Sequence, residues 1–274
     1  MSKLSCTFTV VLFFSLAISC SEDKLPDPQP VLPTKSDIEG YWKLTKIIQS
    51  GTPISFEEYV SPNSGKGVKN QYYYFNSTGG FVETTELSVN VIIWQGQWEV
   101  KEDRVNANYA TGGSAKYKVD SFSQNEITLV NQFALEYSLV FTRIEKNDYP
   151  ESLMSASVDG QNYTSASFQA YLEKGGYIQL TGNFKSDFSD WMSITLNNPT
   201  DLVAGATYAI GDAVISALYK KGDTVFGSST GQLKVEKIRS DYIDVTFSLI
   251  SKSVAGAEVN ITNGKFMAIV KNNQ

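Results

Sequence analysis

The sequence contains no histidine. That absence removes the Ser-His-Asp triad, the Cys-His pair, every imidazole-ligated metal site and the commonest general base near neutral pH. Cysteine is almost as scarce. The 2 present, Cys6 and Cys20, both fall in the first twenty positions, so the rest of the chain has neither a disulfide framework nor a Cys-rich zinc site. Positive charge is the minority, with 23 Lys+Arg against 29 Asp+Glu and a pI near 4.9. With no basic run, nucleic acid is excluded as a partner. No apolar run reaches the roughly 20 residues that a spanning helix needs. What is present is core-forming material: 42% of the 274 residues are apolar and 19% charged. Such a chain buries real cores and has the length of one large domain or two ordinary ones.

The N-terminus reads as an address. Lys3 opens a short positive region, and 8–18 is an apolar run too short to cross a bilayer. It has the form of a secretory signal core. The run ends in Leu16-Ala17-Ile18-Ser19-Cys20, which resembles a bacterial lipobox, where the signal is cut before the Cys and the thiol is diacylated. Ala17 stands where Leu is commonest, Leu16 is one place early, and Ile18 is bulkier than usual there. The alternative is an ordinary cleaved signal with a leftover thiol. Residues 1–19 are thus expected to be a signal peptide and Cys20 a lipidated anchor to a lipid bilayer, each buried methylene contributing about 0.8 kcal/mol. Ser21-Glu22-Asp23-Lys24 resembles the surface-export signal of Bacteroidota lipoproteins. Pro26, Pro28, Pro30 and Pro33 then favour extended polyproline II, making residues 20–35 a semi-rigid stalk.

Downstream, no segment keeps a helical apolar period for three turns. Alternation dominates, with turn residues about every 8–12 positions, so the fold class is all-β. The first domain spans 36–148. Its strands are expected over 41–48, 69–75, 81–87, 91–100, 104–109, 115–122, 126–130 and 136–144, with a long loop over 49–67. Asn76-Ser77-Thr78-Gly79-Gly80 supplies a hairpin turn. Ile92, Trp94, Gly96, Trp98 and Val100 share one face. Eight antiparallel strands close into a barrel and remove exposed edges. A polar linker with Pro150 follows. The second domain, 152–274, reads as a β-sandwich or open barrel. Its strands are expected over 155–158, 161–163, 167–172, 177–184, 191–196, 207–210, 213–219, 231–238, 242–250 and 265–270. Turns are expected at Asp159-Gly160, Gly175-Gly176, Gly211-Asp212, Gly222-Asp223 and Asn263-Gly264.

Gly40-Tyr41-Trp42 at the first strand resembles the G-x-W of lipocalins. Gly96-Gln97-Trp98-Glu99-Val100 with its hairpin, and the closing Tyr137-Ser138-Leu139-Val140-Phe141-Thr142-Arg143, are similar to the lipocalin-like domains of Bacteroidota lipoproteins. The resemblance implies an eight-stranded calyx with a small apolar ligand. In the second half, Ala156-Ser157-Val158-Asp159-Gly160-Gln161, Gly231-Gln232-Leu233-Lys234-Val235, Val245-Thr246-Phe247-Ser248-Leu249 and Ile261-Thr262-Asn263-Gly264-Lys265-Phe266 resemble an uncharacterised domain family of the same lipoproteins. That resemblance implies an envelope location and a β fold, with no assigned activity.

Candidate sites follow from the aromatics. Trp42, Trp94 and Trp98 either line a calyx and stack on a flat ligand or fill the barrel's own core. Tyr72 and Tyr74 share one strand face, opposite Tyr73 and Phe75, and one pair points away from the interior. They are either a surface for a glycan or partner or a half-exposed strand face. Tyr171, Tyr177, Trp191 and Tyr242 run out of phase with the apolar positions of the second domain, forming a sugar platform if they share a sheet and scattered surface residues if they do not. Thr224 in Asp223-Thr224-Val225 resembles a Bacteroidota O-glycosylation sequon. Asp187 and Asp190 read as a solvated loop. Glu57 with Glu58, and Glu83 with Glu86, lack the facing geometry of a glycosidase pair. No catalytic residue, metal ligand or cofactor is assigned. The expectation is a non-catalytic lipoprotein of the outer membrane, surface-exposed, binding a small apolar ligand, glycan or polymer. The alternative is an assembly component with an envelope protein partner.

Overall fold

The computed structural model describes residues 31–269, apart from 57, 60–67, 88–89, 132–136, 151–152, 173–175, 186, 199–200, 212–213 and 240–241. The signal segment, Cys20, the stalk through residue 30 and Glu57 lie outside the described residues, as do Gly175 and Asp212 of two expected turns.

A four-residue helix, α1 (Lys35–Ile38), leads into β1 (Gly40–Gln49). A short β2 (Thr52–Ile54) folds back on the end of β1. There follow β3 (Asn70–Phe75), β4 (Gly80–Glu86), β5 (Asn90–Lys101), β6 (Arg104–Tyr109), β7 (Ser114–Phe122), β8 (Glu126–Asn131) and β9 (Tyr137–Ile144). Apart from β2, each pairs antiparallel with its neighbour in sequence, and β1 pairs with both β3 and β9. Eight strands therefore close a barrel, as the alternation predicted, and each of the eight is hydrogen-bonded to a neighbour on both sides. The β3–β4 turn forms where expected. Asn76 Oδ1 accepts the Gly80 N–H at 2.6 Å and the Thr78 hydroxyl at 2.8 Å.

The second half contains β10 (Leu153–Val158), β11 (Gln161–Thr164), β12 (Ser167–Leu172), β13 (Tyr177–Asn183), β14 (Trp191–Asn197), β15 (Thr207–Ala209), β16 (Ile215–Lys221), β17 (Thr224–Arg239), β18 (Tyr242–Ser253) and β19 (Glu258–Ile269). Hydrogen-bonded neighbours run β12–β13–β14–β16–β17–β18–β19–β10–β11, all antiparallel, and β15 adds to β17. Asp159 (φ 48°) and Gly160 (φ 82°) form the expected tight turn between β10 and β11.

Two expectations need correction. The strand placed at 231–238 begins at Thr224 and runs 16 residues. Gly227, Ser228 and Ser229 have poor strand propensity, and pairing with β16 and β18 overrides it. Asn263-Gly264 is not a turn. It is a bulge inside β19, with Asn263 at φ 50° and a register shift opposite Phe247 and Leu249. A Cβ on Gly264 would collide with the Phe247 ring.

The halves share a strand. The first part of β5 pairs with β4 on one side and β12 on the other, with Trp94 opposite Ser167 and Val91 opposite Ala170. From Gly96 onward, β6 replaces β12. Gln95 is the fork: its N–H donates to Ala166 O at 3.1 Å, and its C=O accepts from the Ala110 N–H at 2.7 Å. Gly96 permits this, since a Cβ there would strike the Asn108 carbonyl. The two faces of β5 serve two cores. Ile92, Trp94, Trp98 and Val100 pack with Trp42, Leu44, Phe75 and Phe141 inside the barrel. Val91 and Ile93 pack with Phe168, Leu180 and Ile194 in the second core. Burying two such aliphatic side chains contributes about 3–6 kcal/mol to holding the halves together. The linker is also docked. Tyr149, after a 3-10 turn at Lys146–Asp148, is buried against Tyr41 at a ring distance of 5.1 Å.

Two outcomes are expected. Gly96→Ala should lower the urea midpoint by the equivalent of about 2 kcal/mol or more. Protease nicking between Asp148 and Glu151 should give two fragments that co-elute in native gel filtration and separate in denaturant. Separation without denaturant would contradict a shared sheet.

Candidate functional site

One end of the barrel is sealed by its own side chains. Gly40 sits at φ 133°, a region that only glycine adopts freely, and its bare Cα leaves room for the Arg143 guanidinium. That guanidinium lies 4.3 Å over the Trp42 ring and donates to Glu39 O at 2.6 Å, Asp37 O at 3.0 Å and Gln124 O at 2.6 Å. Trp42 Nε1 donates to Ile38 O at 2.8 Å, tying α1 across the opening. Trp98 Nε1 donates to Asn76 O at 3.0 Å, with Lys35 Nζ 5.4 Å above its ring. Phe75 packs against Trp98 and Phe81 at 4.9 and 5.1 Å. Trp42 and Trp98 therefore close the barrel and do not line a calyx, because their rings and N–H groups are all occupied by the plug.

Above this plug the inner wall becomes polar. Tyr73, Glu83 and Trp94 stand directly opposite one another on β3, β4 and β5, and Gln71, Thr85 and Ile92 form the next row. Glu83 is 0% exposed and Gln71 1%. Glu83 Oε1 accepts from Gln71 Nε2 at 2.8 Å and Thr85 Oγ1 at 3.1 Å, and Oε2 accepts from Tyr109 OH at 2.6 Å. Tyr73 and Tyr117 hydroxyls meet at 2.9 Å, and Gln71 Nε2 approaches Tyr73 OH at 3.4 Å. The network is a branched chain of side chains that runs through Gln71 to Glu83. Burial pushes the Tyr73 and Tyr117 hydroxyls well above the ordinary tyrosine value, and the nearby Glu83 charge adds to the shift. They keep their protons and remain donors. Among the described residues, two buried polar atoms on this wall lack a partner: Gln71 Oε1 and Trp94 Nε1. Tyr59, from the long loop, is buried beside Tyr137 at 5.2 Å. Sequence reasoning weighed Glu83 only as half of a carboxylate pair. Glu86 does occupy the opposite face, where it accepts from Asn70 Nδ2 at 2.6 Å. The available signal was register: Gln71-Tyr73 and Glu83-Thr85 share the inward phase of Phe75 and Phe81.

The other expected residues do not gather at this wall. Tyr72 and Tyr74 point outward but are covered. Tyr74 stacks on Tyr41 at 4.2 Å, Tyr72 is 8% exposed, and Tyr149 packs 6.2 and 6.0 Å from them. The surface offered to a glycan or partner is thus taken by the linker of the same chain. The aromatic platform does not assemble. Tyr177 pairs with Asn197 and Trp191 with Asn183, at opposite ends of the β13–β14 ladder, about 20 Å apart. Tyr242 lies four strands from β13 along the sheet. Tyr171 pairs with Gln179, and its side chain lies outside the described residues. Thr224 is exposed at the start of β17. Asp187 accepts the Ser189 N–H at 3.0 Å, and Asp190 bonds Lys185 Nζ at 2.9 Å and the Gly222 N–H at 3.0 Å. Asp190 is buried and ties its loop to the β16–β17 turn, so the solvated-loop expectation holds for exposed Asp187 and not for Asp190. An open polar depression of about 480 Å³, floored by Thr207, Gln232, Lys234 and Ser248, lies on the second half.

Residues 38–129 match the family described as a lipocalin-like domain. The barrel is lipocalin-like. Residues 151–270 match a domain of unknown function (DUF6252), over the span where the sequence resembled an uncharacterised family. Among solved structures, a lipocalin-like protein from Bacteroides uniformis aligns over 39% of this chain and 99% of its own, at 15% identity and a TM-score of 0.30. No curated protein matches.

The network carries a stability prediction. Glu83→Leu leaves the Gln71, Thr85 and Tyr109 donors without an acceptor inside the barrel, and should cost about 2–4 kcal/mol by urea denaturation. Tyr109→Phe, which removes one charge-assisted bond, should cost about 1.5–3 kcal/mol.

Proposed function

We propose that this protein is a non-catalytic lipoprotein, anchored to the outer membrane through acylated Cys20 and displayed on the cell surface, whose lipocalin-like barrel holds a small, mainly apolar ligand. The observation that carries the ligand reading is the inner wall above the plug. Aromatic and aliphatic side chains surround two buried polar atoms, Gln71 Oε1 and Trp94 Nε1, that no described residue satisfies. An unmet buried group costs about 1–3 kcal/mol, and a ligand that meets it recovers that cost on binding. The lipocalin-like match over residues 38–129 supports the same reading. The signal-like run, the Cys20 boundary and the proline stalk support the anchor. The absence of histidine supports a role without acid–base chemistry.

A second reading is an assembly component that docks an envelope protein. It draws on exposed Leu218 and Val225, 43% and 45% accessible on β16 and β17. The open polar depression on the second half is where a glycan would lie flat.

Two measurements test the main reading. Cys20→Ser should move the protein from the membrane fraction to the soluble fraction, and continued membrane association would defeat the anchor. An environment-sensitive apolar dye should bind the soluble variant with one-to-one stoichiometry and change the Trp94 emission. Wild-type dye binding in a Trp94→Arg protein that still folds would place the ligand elsewhere.

A further inference from the structure

The protons of the barrel network can be counted. Tyr109 spends its hydroxyl proton on Glu83 Oε2. Tyr73 and Tyr117 share one hydroxyl–hydroxyl bond, and Tyr73 accepts from Gln71 Nε2. The second Gln71 amide proton goes to Glu83 Oε1 at 2.8 Å. Thr85 spends its own proton on the same oxygen. The Gln71 amide cannot be turned round, because its oxygen would then face the carboxylate. Both Gln71 amide protons and the Thr85 and Tyr109 hydroxyl protons are thus committed within the wall. Among the described residues, Gln71 Oε1 is left as an empty acceptor and Trp94 Nε1 as an unused donor.

Building on the barrel reading above, we propose that the ligand's polar end is a neutral hydrogen-bond donor, an alcohol or an amide, received by Gln71. A hydroxyl donates to Gln71 Oε1, and a ligand oxygen serves the Trp94 N–H. A carboxylate or an ether brings acceptors only. It leaves Gln71 Oε1 unmet. The site therefore selects against fatty-acid-like headgroups and for alcohols or amides on an apolar body. The discrimination follows from proton supply and not from shape, so ligands of equal length and bulk separate by headgroup.

The test compares octan-1-ol, 1-methoxyoctane and octanoate by dye displacement, on the full chain carrying Cys20→Ser. Octan-1-ol should bind at least about fivefold tighter than the ether, which is the more apolar of the two, and tighter still than octanoate. Trp94→Phe should weaken binding and keep the alcohol preference. Gln71→Met should abolish the preference. Should that variant fail to fold, the alcohol-to-ether ratio of the Trp94→Phe protein decides. Equal binding of alcohol and ether, or a preference that survives Gln71→Met, overturns the headgroup assignment while leaving the barrel reading standing. Failure of all three compounds to displace a bound dye overturns both.

Discussion

The architecture depends on one strand doing two jobs. β5 is hydrogen-bonded to β4 along one side from Val91 to Gln97, and on its other side it changes partner at Gln95, from β12 to β6. Because the N–H and C=O of one strand residue point the same way, Gln95 can feed both neighbours only where the sheet splits. Gly96 keeps the split open by letting Asn108 approach its bare Cα. The two halves are therefore one sheet with two cores. The Tyr41, Tyr72, Tyr74 and Tyr149 cluster docks the linker against the barrel.

The barrel interior divides by chemistry along its axis. Aromatic stacking and cation–π contacts seal one end around Trp42 and Trp98. The next layer buries a carboxylate, which is costly unless its oxygens are met. Three donors meet them, from Gln71, Thr85 and Tyr109, and Tyr73 links Gln71 to Tyr117. A network of this kind holds its members in one arrangement, because losing a bond strands a buried polar group.

Most of the fold was legible in the pattern of residues. The eight barrel strands follow from alternation punctuated by Asn76–Gly80 and similar turns, and the second half from shorter runs of the same kind. The shared strand was missed, although it left a mark: Val91-Ile92-Ile93-Trp94 is continuously apolar, as a strand covered on both faces must be. The first turns of β17 were hidden by Gly227, Ser228 and Ser229, whose strand conformation comes from neighbours and not from their own preference. Asn263-Gly264 has turn chemistry, and the chain uses it for a bulge. At the candidate site the tryptophans drew attention for their size, yet two of them serve as a stopper. The informative residues were Gln71 and Glu83, polar at positions whose strand neighbours are core aromatics. Period reasoning places them inward, but only three-dimensional register brings Tyr109 and Tyr117 to meet them.

The plug has a consequence for how the chain matures. Trp42 is covered by Arg143, and β1 completes the barrel by pairing with β9, so its earliest strand waits for one about a hundred positions later. β5 in turn waits for β12 before its second face is covered. Pairings of such long sequence separation form slowly, since loop closure precedes the contacts that reward it. A polypeptide wired in this way cannot close its barrel until Ile144 has left the ribosome, nor cover the second face of β5 until Leu172 has followed.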